Sequence, residues 1–180
     1  IERLRKDYAW GFDLQVCVFL QEGWTNVAGA ESTVVEGLKR GATVVGGAPR
    51  YDANGAAQVD RIFALAEDFN VDVDIHLDGG YTTHDLMIWQ VCDLTDRMGW
   101  GGRVAIGHGN KYASLTMPEL EALGKRLAKS GVAVSVLPAT DLFKSGADPE
   151  HSIGFDILGR RRPADGADLG AVERTPEAAR

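Results

Sequence analysis

Apolar and polar positions follow two patterns that recur along the chain. Short runs rich in β-branched residues begin at positions 13, 42, 71, 103 and 132, so their starts lie 29, 29, 32 and 29 residues apart. Runs of this length and composition are typical of buried β-strands. The segments between them repeat apolar residues at helical spacing, as in "AAQVDRIFALAEDF" at 56–69, which predicts amphipathic helices.

One helix has clear boundaries in the sequence itself. Thr116, Pro118 and Glu119 form a capping box with proline in the first turn, and Gly131 follows the last apolar position. These residues satisfy unpaired backbone groups at the two ends of a helix. The pattern therefore predicts a helix that begins after Thr116 and ends before Gly131.

The regular alternation of strand and helix predicts an α/β fold with parallel strands and crossover helices. Five such units fit either an open doubly wound sheet or part of an eight-unit (β/α)8 barrel. A whole barrel needs about 250 residues, more than the 180 present. We assign the repeat to residues 1–150 and interpret residues 151–180 as a tail, mobile or read out of frame, because the last 22 residues contain no aromatic side chain.

Composition and charge exclude several classes of partner. The net charge of −7 argues against a nucleic-acid partner, which would require a basic surface. No apolar run approaches the roughly 18 residues that a membrane span needs. Cys17 and Cys92 lie in apolar segments without metal-type spacing, so we interpret them as two buried, reduced thiols and expect a cytoplasmic protein.

The predicted strands end in polar residues, and two neighbouring strands end in histidine. "VDVDIHLDGG" reaches His76 and "GGRVAIGHGN" reaches His108, each just before a glycine or an acid. In parallel β/α folds the site lies at these carboxyl ends, and imidazole is a common metal ligand. A hydrogen-bonded structural role for each histidine remains the alternative. Arg50 is a candidate contact for an anion or a carbonyl group.

These strand ends carry a resemblance to a known family. "VFLQEG", "GATVVGGAPRYD", "VDVDIHLD", "GGRVAIGHGNKYASL" and "LAKSGVAVSVLPATDLF" resemble, in order and spacing, the cytosine deaminase branch of the amidohydrolase superfamily over residues 1–150. The resemblance implies about strands three to seven of a TIM-type barrel. It also implies one divalent metal, zinc or iron, and the displacement of ammonia or an amine from a ring carbon.

Three residues match functional positions of that family. The resemblance implies that His76 is a metal ligand, that His108 deprotonates the attacking water, and that Gln21 hydrogen-bonds the ring amide of a small heterocyclic substrate. The family's His-x-His pair and its last-strand aspartate have no match in this chain. The family's His-x-Asp-Glu reads His76-Leu77-Asp78-Gly79 here, without the final glutamate.

Two functions follow as hypotheses. The first is a metal-dependent amidohydrolase or deaminase that acts on a cyclic amidine or amide, with this chain forming part of the catalytic unit. The second is a non-catalytic half-barrel that serves binding or assembly. In either case a partial barrel exposes strand edges and apolar faces, so we expect self-association.

Overall fold

The computed structural model describes residues 1–80 and 83–137, and it contains a parallel sheet flanked by helices. The strands are β1 (Cys17–Leu20), β2 (Val44–Gly47), β3 (Asp72–Leu77), β4 (Val104–His108) and β5 (Val132–Ser135). The helices are α1 (Glu2–Tyr8), α2 (Ala30–Lys39), α3 (Gly55–Phe69), α4 (Ile88–Met98) and α5 (Met117–Ser130). Short 3-10 turns follow β2 at Pro49–Tyr51 and β4 at Asn110–Ser114.

The strand order decides between the two α/β architectures. All four strand pairs are parallel, and the order in the sheet is β1-β2-β3-β4-β5, the same as the order in the chain. A doubly wound sheet reverses its strand order at one point, whereas a barrel adds each new strand beside the last. The fold is therefore part of a (β/α)8-type barrel, and the predicted succession of parallel strands is confirmed.

The hydrophobic core lies between one face of the sheet and the helices. The side chains of β3 alternate between the two faces of the sheet. Val73, Ile75 and Leu77 are buried against the helices. Asp72 and Asp74 are half-buried on the opposite, concave face. The two aspartates therefore point to the barrel interior and not toward the helices. The same alternation places His76 on the concave face.

The predicted helix boundaries around α5 are confirmed. Thr116 is the N-cap, its side chain and Glu119 form the capping box, and Gly131 ends the helix in a left-handed conformation with φ of 69°. A residue with a Cβ is disfavoured in that conformation. The cap geometry therefore fixes where the chain leaves α5 and enters β5.

One prediction about the cysteines is wrong. Cys92 is buried in α4, but Cys17 is exposed and neither forms a disulfide. Cys17 lies on the concave face of β1, an edge strand of the described sheet, so no neighbouring strand covers it on that side. A residue in an apolar segment is buried only when neighbouring strands or helices cover its side chain.

The predicted tail at 151–180, and with it the boundary after residue 150, lies outside the described residues. Within residues 1–80 and 83–137, no helix has both the length and the apolar composition needed to cross a membrane.

Candidate functional site

The carboxyl ends of β1, β2, β3 and β4 surround one small recess of about 60 Å³. Gln21, His76 and His108, the three residues singled out by the sequence, all line it. The other lining residues are Ala48, Arg50, Tyr51 and Gly79. Side chains separated by up to 87 positions in the sequence thus meet because parallel strands bring their carboxyl ends to the same rim.

The two histidines contact each other at the centre of this recess. Their ring centroids lie 4.9 Å apart with the ring planes at 87°, and the Phe19 ring packs against His76 at 4.7 Å. Gly107 leaves room for this arrangement, since a Cβ at that position would lie 3.1 Å from Cδ2 of His76. The pair therefore presents two imidazoles from adjacent strands toward one point.

His108 reaches the recess through an unusual backbone conformation. The register pairs it with Leu77, whose side chain is buried in the helix-facing core. His108 has φ of 75°, which interrupts the alternation of an extended strand. This conformation costs about 1 kcal/mol for a residue with a Cβ. Strain at this position is typical of a functional site, although the sequence gives no signal for it.

Asp78 anchors the loop after β3 and does not line the recess. Asp78 is 2% exposed, and its carboxylate accepts hydrogen bonds from the backbone N–H groups of Met87 (2.9 Å) and Ile88 (3.1 Å) and from the Tyr112 hydroxyl (2.9 Å). Burial raises the pKa of Asp78, and these hydrogen bonds oppose that effect. Asp78 thus joins the start of α4 to the turn after β4.

Asp52 fixes the loop that carries Gln21. Its carboxylate accepts hydrogen bonds from the backbone N–H groups of Trp24, Thr25 (3.0 Å) and Asn54 (3.0 Å), from the Thr25 hydroxyl, and from the Gln58 side chain (3.2 Å). Burial alone would raise the pKa of Asp52, but the hydrogen bonds outweigh it and lower the pKa to about 2. The loops after β1 and β2 are therefore held together by one charged group.

Neither Asp52 nor Asp78 is identified by sequence reasoning as part of the site. Asp52 precedes Asn54 by two residues, and its side chain accepts that residue's N–H, which is the local hydrogen bond of an Asx turn. The long-range partners of both aspartates have no signal in the sequence, because they depend on how the loops meet.

The aromatic residues near the strand ends have different positions. Tyr51 lines the recess, whereas the Trp24 ring lies 6.0 Å below the Arg61 guanidinium, outside it. Trp100 lies at the amino end of β4, where the Arg103 guanidinium stacks 4.2 Å from its ring. Of these three aromatic residues, Tyr51 is the one that lines the recess.

The residues at the recess do not form a complete metal site. Two imidazoles face each other there, but within residues 1–80 and 83–137 no three His, Cys, Asp or Glu side chains are arranged to hold a metal ion. A catalytic zinc site requires three protein ligands. The described part of the chain therefore does not fit the metal centre that the resemblance implies.

A larger recess of about 350 Å³ lies at the amino ends of the strands, with Cys17, Asp72, Asp74 and Arg103 among its lining residues. Arg103 and Asp72 form an ion pair there at 2.7 Å. Parallel β/α barrels use the amino-terminal end for stability and the carboxyl end for chemistry. The smaller recess is therefore the candidate functional site.

No family model matches the chain. The N-isopropylammelide isopropyl amidohydrolase of Pseudomonas sp. (strain ADP) is 31% identical over 103 residues, which cover 56% of this chain and 26% of the relative. The chain thus spans about a quarter of the length of that relative.

Two solved structures share the fold. The N-isopropylammelide isopropylaminohydrolase of Burkholderia multivorans ATCC 17616 matches with a TM-score of 0.65 and 27% identity, over 76% of this chain and 36% of that chain. The 5-methylcytosine deaminase of Klebsiella pneumoniae, liganded with phosphonocytosine, matches with a TM-score of 0.74 and 24% identity. This match covers 81% of this chain and 36% of that chain. Over this part of the barrel, the chain resembles the cytosine deaminase-like branch of the amidohydrolase superfamily, as its strand-end motifs indicate.

Proposed function

We propose that this chain is part of the catalytic barrel of an amidohydrolase that breaks a C–N bond of a cyclic amidine or amide. The observation that carries the proposal is the convergence of Gln21, His76 and His108 on one recess at the carboxyl ends of the strands. The named relatives act on isopropylammelide and 5-methylcytosine, so the substrate class proposed here is a small, flat, nitrogen-containing ring.

The proposed reaction assigns a role to two side chains. The Gln21 carboxamide both donates and accepts hydrogen bonds, so it can pair with a ring amide and fix the ring's orientation. The His108 imidazole takes a proton from the attacking water. The water oxygen then bonds to the ring carbon, the exocyclic C–N bond breaks, and ammonia or an amine leaves with the proton.

His76 is proposed as one ligand of a divalent metal, zinc or iron. Such a metal supplies a Lewis acid and lowers the pKa of a bound water. Residues 1–80 and 83–137 contribute too few donors to hold the ion, so the proposal requires further ligands outside these ranges, and no step is assigned to the metal.

Histidine variants test the proposal. Release of ammonia from cytosine and of amine from N-isopropylammelide would be measured for the wild-type chain, His76→Asn and His108→Asn, with metal content determined for each. His108→Asn should lose a factor of roughly 10² to 10⁴ in rate and keep its metal content, whereas His76→Asn should lose both. His84→Asn is the control, since His84 does not line the recess. Equal rates in all four proteins would contradict the proposal.

A second candidate is a non-catalytic half-barrel, and the incomplete donor set favours it. The same assay separates the two functions. A stoichiometric metal and measurable turnover support the hydrolase. A protein that is folded, takes up no metal after dialysis against zinc, and releases neither ammonia nor amine is the half-barrel.

We also propose that the chain self-associates and that it is cytoplasmic. β1 and β5 each pair with one other strand in the described sheet, and several apolar side chains near these edges are exposed, including Phe12, Val134 and Val136. A second copy of the chain would cover them. The two unpaired thiols support a reducing compartment.

A further inference from the structure

We propose that Arg50 selects a ring that carries a negatively charged oxygen, an inference that rests on the proposed ring-binding function. Arg50 is in the 3-10 turn after β2 and lines the recess together with Gln21 and the two histidines. Its role would be to pair with an oxygen of the substrate on the side of the ring away from Gln21.

The Arg50 side chain spans two loops at the mouth of the recess. Its guanidinium lies 5.9 Å from the Tyr51 ring centroid. A Cβ built on Gly79, in the loop after β3, would lie 3.5 Å from Nη1 of Arg50 and 4.0 Å from its Cδ. The guanidinium therefore extends from the β2 loop to the β3 loop, beside the recess that the histidines occupy.

The charge around the recess favours an anion. Among the described residues, its lining contains a guanidinium, two imidazoles and a carboxamide, and it contains no carboxylate. Within the same part of the chain no ion pair involves Arg50. A second cation, Lys111, lies near the same loop, since a Cβ on Gly80 would be 3.8 Å from its Cε, but its charge is opposed by the nearby buried carboxylate of Asp78. The positive charge on the recess lining is therefore that of Arg50.

These contacts match an oxygen-rich anionic ring better than a neutral one. A guanidinium pairs with oxygen atoms through two parallel N–H donors, and it does so most strongly when the oxygen is charged. The Gln21 carboxamide can hold the ring amide at the same time. A ring with two amide-type oxygens, one of them ionised, can hydrogen-bond to the Gln21 carboxamide and to the Arg50 guanidinium at the same time.

Two matched pyrimidines test this selection. Uracil is neutral at pH 7 and barbiturate, the same ring with one more oxygen, is an anion. Both would be titrated into the isotopically labelled chain, and the affinities read from backbone amide shifts of Gly79 and Gly109. The wild-type chain should bind barbiturate more tightly than uracil. The Arg50→Gln substitution should lower the affinity for barbiturate roughly tenfold or more. It should change the affinity for uracil by less than about twofold.

Two further variants define the cause. Arg50→Lys keeps the charge without the paired donors and should retain part of the preference. Arg97→Gln removes the same charge from the exposed end of α4 and should change neither affinity.

The outcomes distinguish this inference from the proposed function. In one outcome, Arg50→Gln leaves both affinities unchanged or lowers both by the same factor, while Gln21→Ala lowers the affinity for both rings. The ring-binding site is then supported, and the role proposed for Arg50 is wrong. If neither ring binds the wild-type chain, the ring site itself is contradicted, and the selection with it.

Discussion

Replacing Asp78 by asparagine should destabilise the fold without changing a residue that lines the recess. The Asp78 carboxylate holds the first backbone N–H groups of α4 and the Tyr112 hydroxyl. Asparagine has nearly the same shape but offers one accepting oxygen, and its amide donors would face N–H groups that are themselves donors. At least one of the N–H groups of Met87 and Ile88 would then have no acceptor.

The size of the effect follows from these three bonds. A hydrogen bond to a charged, buried group contributes about 1.5–3 kcal/mol, and the anion at the start of α4 adds about 0.5 kcal/mol through the helix dipole. Asparagine retains one acceptor. It also removes the cost of burying a charge, which is the cost that raises the pKa of Asp78. We expect a net loss of about 2 kcal/mol, or roughly 4–8 °C in Tm for a chain of this size.

The assay is urea denaturation followed by circular dichroism. Asp68→Asn is the matched control, because Asp68 is an exposed residue of α3 and its loss should change stability by less than about 0.5 kcal/mol. Tyr112→Phe removes one of the three bonds, so the double variant with Asp78→Asn should lose less than the sum of the single variants. A free energy of unfolding for Asp78→Asn within 0.5 kcal/mol of wild type would refute this account of the anchor.

Three further outcomes are expected. Because the folded pKa of Asp52 is about 2 and its unfolded value is about 3.9, its stabilisation is present above pH 4 and lost as the pH falls toward 2. The difference in unfolding free energy between wild type and Asp52→Asn should thus shrink by about 1–2 kcal/mol between pH 5 and pH 2, allowing for solvent screening; a constant difference would contradict it. The Cys17 residue is exposed, but partial burial of its thiol and the nearby Asp74 raise the thiol's pKa to about 12. Iodoacetamide at pH 8 should therefore alkylate Cys17 roughly a hundredfold more slowly than glutathione, and an equal rate would show a more acidic thiol. Light scattering should find self-association at tens of micromolar, and a monomer throughout would count against the open-edge argument.

Much of the fold could be predicted because its determinants are local. Each strand contributes an apolar run and each helix an apolar stripe, and the interval of about 30 residues indicates parallel strands. The predicted starts at 42, 71, 103 and 132 differ from those of β2 to β5 by two residues or fewer. The first strand begins four residues later than predicted, at Cys17. The sequence did not separate a doubly wound sheet from a barrel on periodicity alone, since both have the same repeat.

The site could be predicted only in part. Parallel topology explains why Gln21, His76 and His108 lie on one rim. The exposure of Cys17 depends on which strands cover it, and the left-handed backbone of His108 depends on the turn that follows. The partners of Asp78 lie 9, 10 and 34 positions away, and no local pattern indicates contacts of that kind.

The measurement that tests the central claim most directly is a titration of the labelled chain with cytosine, followed at three side chains by NMR. The side-chain amide of Gln21 and the imidazole C–H signals of His76 and His108 would be observed together. If these residues form one ring-binding site, all three signals shift and give the same Kd. If only one of them responds, or if they saturate at different cytosine concentrations, the three residues do not form a single site.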